Sequence, residues 1–454
     1  MSTSRSSSPG RRGRHEGGVS RRLARRMRAA ALDPRPLSVA AFRRLLLAQA
    51  AAYVGTMVTA VTVPVQVYAL SHSSLYVGYT GLAGLLPIVV FGLYGGAVAD
   101  RVDRRRLYLW ASVGTWLITL ALLAQALADL RSVPFIIVLV SAQAATFAMS
   151  SAARGAIIPR IVPPDLVPAA NTLYFTVGNL GQVAGPLCAG VFLALPGGFA
   201  WAYGVDAVLF TLLLYSAYRL PSVQPVHTGS SQGGLRSVWD GLRFISGNPV
   251  LWMSFALDIA AMVLAMPTAL FPQVADTRFH GGVGLLYTSI AIGSLAAGLF
   301  SGWIAKVRRQ GVALAAAVAG WAVAISLAGT TYRLWTAVVL LACAGAADLV
   351  SAVYRETILQ TCAPDALRGR LQGVFTVVVA GGPRLGDLRA GAMAATMGLG
   401  IAWPGSALVC LVLVVAAAAL VRPFWHYDAG SQRQRAAPAV NVQPDLRVPG
   451  SAEG

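Results

Sequence analysis

Residues 95–106 read Gly95-Gly96-Ala97-Val98-Ala99-Asp100-Arg101-Val102-Asp103-Arg104-Arg105-Arg106. The reading of this short segment decides the fold. Apolar stretches flank it, residues 75–99 before and 107–127 after. Each is near the ~20 residues that an α-helix needs to cross the hydrocarbon core of a bilayer. A glycine-led turn carrying Asp100, Asp103 and four arginines between two such stretches is a tight polar loop at a membrane surface. Its basic excess marks the side on which the loop is retained.

The pattern extends through the chain. Of 454 residues, 56% are hydrophobic and 12% charged, about half the charge of an ordinary soluble domain. With Pro and Gly breaks and loop charges as boundaries, twelve spans are predicted: 44–70, 75–99, 107–127, 132–156, 168–192, 199–220, 249–272, 284–305, 311–330, 334–354, 371–396 and 401–422. A net charge of +19 suggests a nucleic-acid partner at first sight, but the location of the charge argues otherwise. Twelve Lys and Arg precede residue 45, fifteen fall in the five loops on the same side, and four follow residue 421; the opposite loops hold three, Arg131, Arg278 and Arg333. That asymmetry is a topology signal and places both termini in the cytoplasm.

Other classes find no support. The four cysteines, Cys188, Cys343, Cys362 and Cys410, lie in or beside apolar spans and read as small hydrophobes. The five histidines are scattered, so no metal site, cofactor site or nucleophile–base pair emerges, and no phosphate-binding loop does either. The expectation is a protein that is not an enzyme and carries no cofactor.

The segment 1–36 is rich in Ser, Gly and Arg and reads as a disordered cytoplasmic arm suited to anionic lipid. Residues 40–220 form one six-helix half, 221–244 a cytoplasmic linker rich in Gly, Ser and Gln, 245–422 a second half, and 423–454 a disordered tail. The halves repeat. Pro164-Asp165 and Phe175-Thr176-Val177 recur 200 positions later as Pro364-Asp365 and Phe375-Thr376-Val377, and Val77-Gly78, Gly96 and Ala99 recur as Val283-Gly284, Gly302 and Ala305. The predicted fold is an all-α polytopic membrane protein of twelve transmembrane helices in two parallel six-helix repeats.

The series Gly96-x-x-x-Asp100-Arg101-x-x-Arg104-Arg105 resembles the loop between helices 2 and 3 of the major facilitator superfamily, with Asp103 where glycine is usual. Segments such as Val63-Pro64-Val65-Gln66-Val67, Gly241-Leu242-Arg243-Phe244 with Asn248-Pro249, and Leu359-Gln360-Thr361 resemble its drug-efflux branch, which includes siderophore exporters. Gly181, Gly185, Pro186 and Gly190 in span 5 resemble the antiporter motif of exporters, with Ala189 in place of a glycine; small residues at this spacing also serve ordinary close packing. The resemblance implies substrate binding near the midplane between halves, with spans 1, 4, 7 and 10 around the cavity. It also implies that the Gly96–Arg105 loop holds one state of the cycle, Asp100 facing the positive N-terminal end of span 11 near Gly369–Gly373.

Charges inside a membrane are costly and need a reason. Asp258 lies in span 7 and Asp348 in span 10, with Ser351 and Arg355 further along the same face. Desolvation favours the neutral carboxyl and a nearby arginine the charged one, so such a group can bind a proton in one conformation and release it in another. The other reading is a polar residue satisfied by neighbouring helices. Arg384 and Asp387, three apart in span 11, are placed to pair with each other; Asp387 is the third proton candidate. Asp206 in span 6 ranks lower, because that span is peripheral in the superfamily. Polar stripes offer cavity linings: Gln49, Tyr53 and Thr56 in span 1, Gln143, Thr146 and Arg154 in span 4, and Asn179 in span 5. They could equally knit helices together.

The resulting expectation is a monomeric secondary active transporter of the inner (plasma) membrane. It would be a proton-coupled exporter, an antiporter, of a small amphipathic compound such as a drug or siderophore, working by alternating access. Its partners would be substrate, protons and lipid, with no nucleic acid. An importer of a small polar solute and a non-transporting membrane scaffold or sensor are the alternatives. The topology is tested by a reporter fused at Ser230: it should be active as a cytoplasmic fusion, and activity only outside the cell would reverse the orientation of every loop.

Overall fold

The computed structural model describes residues 33–99, 102–221, 235–363, 367–420 and 422–425. Asp100, Arg101, Pro364, Asp365, residues 222–234 and most of both tails lie outside them, as do the expectations attached to those residues. Twelve helices match the predicted spans: α1 Ala40–Ser71, α2 Ser74–Ala99, α3 Arg104–Leu127, α4 Val133–Ile161, α5 Val167–Leu193, α6 Gly198–Tyr218, α7 Pro249–Thr277, α8 Val283–Leu299, α9 Gln310–Thr330, α10 Leu334–Cys362, α11 Arg368–Met397 and α12 Leu399–Leu420. Ten are long and apolar enough to cross a membrane. The other two are α8, with 17 residues, and α11, which has 30 but carries Arg384, Asp387 and Arg389.

Local chemistry sets several boundaries. A helix leaves its first N–H groups unpaired, and a side-chain oxygen just before it can accept from them. Asp103 accepts from the Arg105 N–H at 2.9 Å and starts α3, so the departure from glycine at this position supplies a cap. Asn248 accepts from Val250 and Leu251 at 3.1 and 3.2 Å, with Pro249 opening α7. Gly282, at φ 77°, turns the chain into α8 through the left-handed region that only glycine enters freely.

The repeat is visible in the packing. Within the first six helices α1 packs on α5 and α6, α2 on α4, and α3 on α4; within the second six α7 packs on α11 and α12, α8 on α10, and α9 on α10. Each pair recurs six helices later. The two sets have separate apolar cores, one around Phe42, Leu45, Tyr108 and Phe210, the other around Phe271, Trp321, Ile358 and Trp403.

Three expectations are corrected. Span 7 is broken: helix over Pro249–Ala265, a 3-10 turn over Thr268–Leu270, then Phe271–Thr277. Pro267 is the cause, since proline disfavours helix in the residue before it. The linker segment 221–244 is not loop throughout, because a helix runs over Leu235–Gly247 with Ile245 buried against the second half. The second half also continues past residue 422: Arg422–Trp425 form one helical turn, and Phe424 is buried against Gly311.

The halves meet along two seams. On α2 and α11, close contacts run from Ser74 against Gly391 to Leu85 against Gly381. On α5 and α8 they run from Gly190 against Gly284 to Val183, whose carbonyl accepts from Thr288 at 3.5 Å. Among the described residues these contacts lie in the part of each helix remote from the linker helix.

Within the second half, α8 and α10 touch backbone to backbone. Gly293 lies on the Ala342 carbonyl and Gly345 on that of Ile290, leaving no room for a Cβ at either glycine. Gly345→Leu should therefore force α8 and α10 apart and cost at least the ~1–3 kcal/mol typical of overpacking. Thermal unfolding of the purified protein reads this loss; an unchanged midpoint would mean that the two helices can part freely.

Candidate substrate and proton site

Among the described residues, the first segment of α7 and the last third of α10 hold the most deeply buried ion pair. Arg355 donates through Nη1 to Asp258 Oδ1, with the two side chains 5% and 1% exposed. The Arg355 guanidinium also stands over the Phe375 ring of α11, 5.8 Å from its centroid, and Phe255 meets that ring edge-on. A cation over an aromatic face is attracted by the ring quadrupole. Asp258 Oδ2 and Arg355 Nε have no hydrogen-bond partner among the described residues, so the pair keeps an acceptor and a donor for something else. Asp348 lies two turns before Arg355 on α10, half-buried, and is within electrostatic reach of both Asp258 and Arg355. Sequence reasoning grouped Asp258, Asp348 and Arg355, and the structure places them near one another: Arg355 pairs with Asp258, and Asp348 lies outside that contact.

The α7 break is the second cluster. Asp387 on α11 accepts from the Thr268 hydroxyl and, at 3.0 Å, from the Ala269 N–H. Arg389 donates to the Met266 carbonyl at 3.3 Å, and Tyr287 of α8 donates to the Thr268 carbonyl at 3.0 Å. A broken helix exposes a positive N-terminal end and a negative C-terminal end; here a carboxylate faces the first and a guanidinium the second. This corrects the expected Arg384–Asp387 pair. The unpaired backbone N–H of the break takes Asp387, while Arg384 donates to the carbonyl of Ala380 on its own helix, close beside Gly84 of α2.

In the first half the polar stripes mostly knit helices. Gln49 is buried and accepts from the Tyr108 hydroxyl at 3.2 Å, so it is not an open cavity wall. Thr146 accepts from Thr115 of α3 at 2.8 Å, and Gln143 takes the Thr146 hydroxyl on its backbone carbonyl. Thr56 donates to the Ala52 carbonyl. Asn179 is half-buried. Arg154 stands over the Tyr174 ring at 5.3 Å and donates weakly to Ser151, with Tyr108 beside it. Tyr53 packs on Gly181. Gln49, Tyr53, Tyr108, Arg154 and Tyr174 thus form one cationic, aromatic cluster joining α1, α3, α4 and α5.

The small residues of α5 lie between two neighbours. Gly185 is pressed on Met57 and the Val54 carbonyl of α1, while the Pro186 carbonyl and Gly190 lie on Gly284 of α8. Gly96 lies in the last turn of α2, and Arg105 donates to the Tyr218 carbonyl and stands 6.0 Å from its ring centroid. Arg104 has a partner of its own.

A family profile described as transmembrane secretion effector matches residues 32–447. The chain belongs to that family, within the major facilitator superfamily. It is 29% identical over 363 residues to the enterobactin exporter EntS of Escherichia coli O1:K1 / APEC, covering 79% of this chain and 86% of that protein. Among solved structures, the nucleoside transporter NupG superposes with a TM-score of 0.67 at 14% identity, over 84% of this chain and 99% of the other. A bacterial homologue of the lysosomal transporter Spinster, inward-facing and unoccupied, gives 0.63 at 16% identity, over 88% and 98%. These likenesses show the major facilitator fold. The chain is a membrane transporter and not an enzyme.

Sequence reasoning missed Thr268, Tyr108, Tyr174 and Arg389 as site members. Pro267 was the available signal for Thr268, because a proline inside a membrane helix frees backbone groups that something must satisfy. The aromatic pair carried no signal, since tyrosines in apolar spans are ordinary packing residues until a cation is seen over them.

Removing one partner of a buried ion pair leaves an uncompensated charge and costs on the order of 3–5 kcal/mol, whereas removing both is far milder. Asp258→Asn and Arg355→Gln should each lower the thermal midpoint clearly, and the double variant should recover much of the loss. Additive losses in this double-mutant cycle would show that the pair is not coupled.

Proposed function

We propose that the protein is a proton-coupled exporter of a small amphipathic compound, an antiporter working by alternating access in the plasma membrane, with both termini cytoplasmic. The observation that carries this reading is the Asp258–Arg355 pair with Asp348 two turns away. Three ionisable groups within one half of a transporter, buried from lipid, form a set whose charge changes by one when a proton enters. With one carboxyl protonated, Arg355 is balanced by the other. When both are ionised, the site is anionic and attracts either a proton or a cationic group of the substrate. The free acceptor on Asp258 and the free donor on Arg355 are the atoms open to such a ligand.

The remaining geometry fits the same cycle. Among the described residues the contacts between halves lie in the part of each helix remote from the linker helix, which supports a state open toward the linker side. With the linker in the cytoplasm, as its basic residues favour, the opening faces the compartment from which an exporter loads. Export is further supported by the small-residue contact of α5 with α8 and by the likeness to EntS, an enterobactin exporter. Arg154, packed on Tyr174, and Phe375, all half-buried, supply cationic and aromatic surface suited to a ring-bearing substrate, with Tyr108 and Phe255 buried behind them. The inner arm, rich in arginine, would lie against anionic lipid, and a single chain is proposed as the working unit.

A survival screen of an efflux-deficient host against toxic amphipathic compounds and siderophores names the substrate. With that compound in proteoliposomes, Asp348→Asn should remove export driven by a pH gradient while sparing downhill exchange, since only the protonation step is lost. Full gradient-driven export by Asp258→Asn, Asp348→Asn and the double variant would exclude these carboxylates as the coupling site.

A further inference from the structure

A carboxyl outside that site lies buried in the first half. Asp206 of α6 is 1% exposed, and its Oδ2 accepts from the Thr59 hydroxyl of α1 at 2.6 Å and, at 3.5 Å, from Thr119 of α3. Its Oδ1 has no partner among the described residues and lies against Gly55 of α1, where a Cβ would collide with it. Among the described residues the groups that face it are uncharged: Thr59 and Gly55 from α1, and Thr119 from α3. The titratable neighbour on its own helix is Tyr203, whose hydroxyl is committed to Gln66 at 2.7 Å. The basic residues of these three helices, Arg43, Arg44, Arg104, Arg105 and Arg106, with Arg219 just beyond α6, all sit at helix ends. Asp258 has Arg355 and Asp387 has two N-terminal donors; Asp206 has two hydroxyls.

An ionised carboxylate buried from water without a cation neutralises itself by taking a proton rather than bearing the desolvation cost. Threonine hydroxyls donate or accept as they rotate, so Thr59 and Thr119 can satisfy either form. We propose that Asp206 is a second proton-binding site, occupied by a proton in this conformation, and that losing the proton loosens the α1–α6 contact. The consequence reaches the seam between halves through α1 itself. Gly55 and Thr59 face Asp206, while Tyr53, Val54 and Met57 of the same helix bear on Gly181 and Gly185, and α5 in turn lies on Gly284 of α8. An anion at Asp206 would draw water and push α1 toward the small-residue contact that holds the halves together. Its use in transport rests on the proton-coupled reading above; the proton itself does not, and the test is made on the resting protein.

The experiment is infrared spectroscopy of the purified full-length protein in lipid, titrated from acid to alkaline pH, with Asp206→Asn, Asp206→Glu, Thr59→Val and Asp258→Asn beside the wild type. The wild type should show at neutral pH a carbonyl band of a protonated carboxylic acid that is absent in Asp206→Asn, present in Asp258→Asn and shifted in frequency in Asp206→Glu. Thr59→Val removes a donor to the anion, so the band should persist to higher pH, by about tenfold in proton affinity. Thermal stability gives a second readout: the folded protein holds a proton that the unfolded chain releases, so stability should fall as pH rises, more steeply in the wild type than in Asp206→Asn. A neutral-pH spectrum identical in wild type and Asp206→Asn, or a Thr59→Val band that does not move, overturns the assignment. Neither result depends on transport, so failure here is distinct from failure of the Asp348 export assay.

Discussion

A helix broken in the middle of a membrane must have its loose ends tied, and much of this structure follows from how α7 meets that demand. Backbone groups freed at Met266–Leu270 have no water to turn to in hydrocarbon. Asp387 and Arg389 of α11 take one end each, and Tyr287 of α8 takes a carbonyl between them. Three helices of the second half are thereby fixed to one point. The break also delivers chain to the first half. Ala269 joins the apolar cluster of Val63, Val67 and Val77, and Gln273 accepts from Ser74 of α2 at 2.7 Å. The seam between halves on this side is therefore built partly from the geometry of the break.

Charge and glycine have complementary tasks around that point. The charges sit where helices would otherwise leave polar groups unpaired, and the glycines sit where helices must come close. Gly386 lies against the Met262 carbonyl, and Gly78 against Asp387 and Leu388, so α11 is gripped by α7 on one face and by α2 on another. The Asp387 carboxylate is held by Thr268 and Ala269 of the α7 break, while its backbone carbonyl lies against Gly78 across the seam. Asp387 is thus tied into the seam, whereas Asp258 and Arg355 pair with each other and each keep one polar atom without a partner among the described residues.

The two halves have the same packing plan but different electrostatics. In the second half Asp258 has a cation beside it and Asp387 a helix end. In the first half Arg154 rests on aromatic rings and Asp206 on hydroxyls, each without an ion-pair partner among the described residues. The repeat conserves helix contacts, which depend on shape, more strictly than it conserves charges, which depend on what each half must bind. An asymmetric pair of halves is what a transporter needs if substrate and proton are handled at different places.

The sequence by itself determined the fold class. Hydropathy, basic-residue asymmetry and the 200-residue repeat are local or additive properties, and a bilayer reads them almost independently of tertiary contacts. It also determined which charges had to matter, because any charge within a span requires a partner. Only the tertiary structure decided who those partners are. Arg384 and Asp387 have the right spacing to pair along a helix, yet the broken end of α7 competes for the carboxylate and wins, because an unpaired N–H in hydrocarbon is worse than a separated ion pair. Gln49 reads as a cavity wall along α1, yet Tyr108 of α3 claims it. Asp206 sits on a helix that looks peripheral, and only the approach of Gly55 and Thr59 shows that it is buried without a cation. A partner on another helix has no signature in the spacing of its own chain segment, so sequence marks the groups that need satisfaction while the packing of helices decides how each is satisfied.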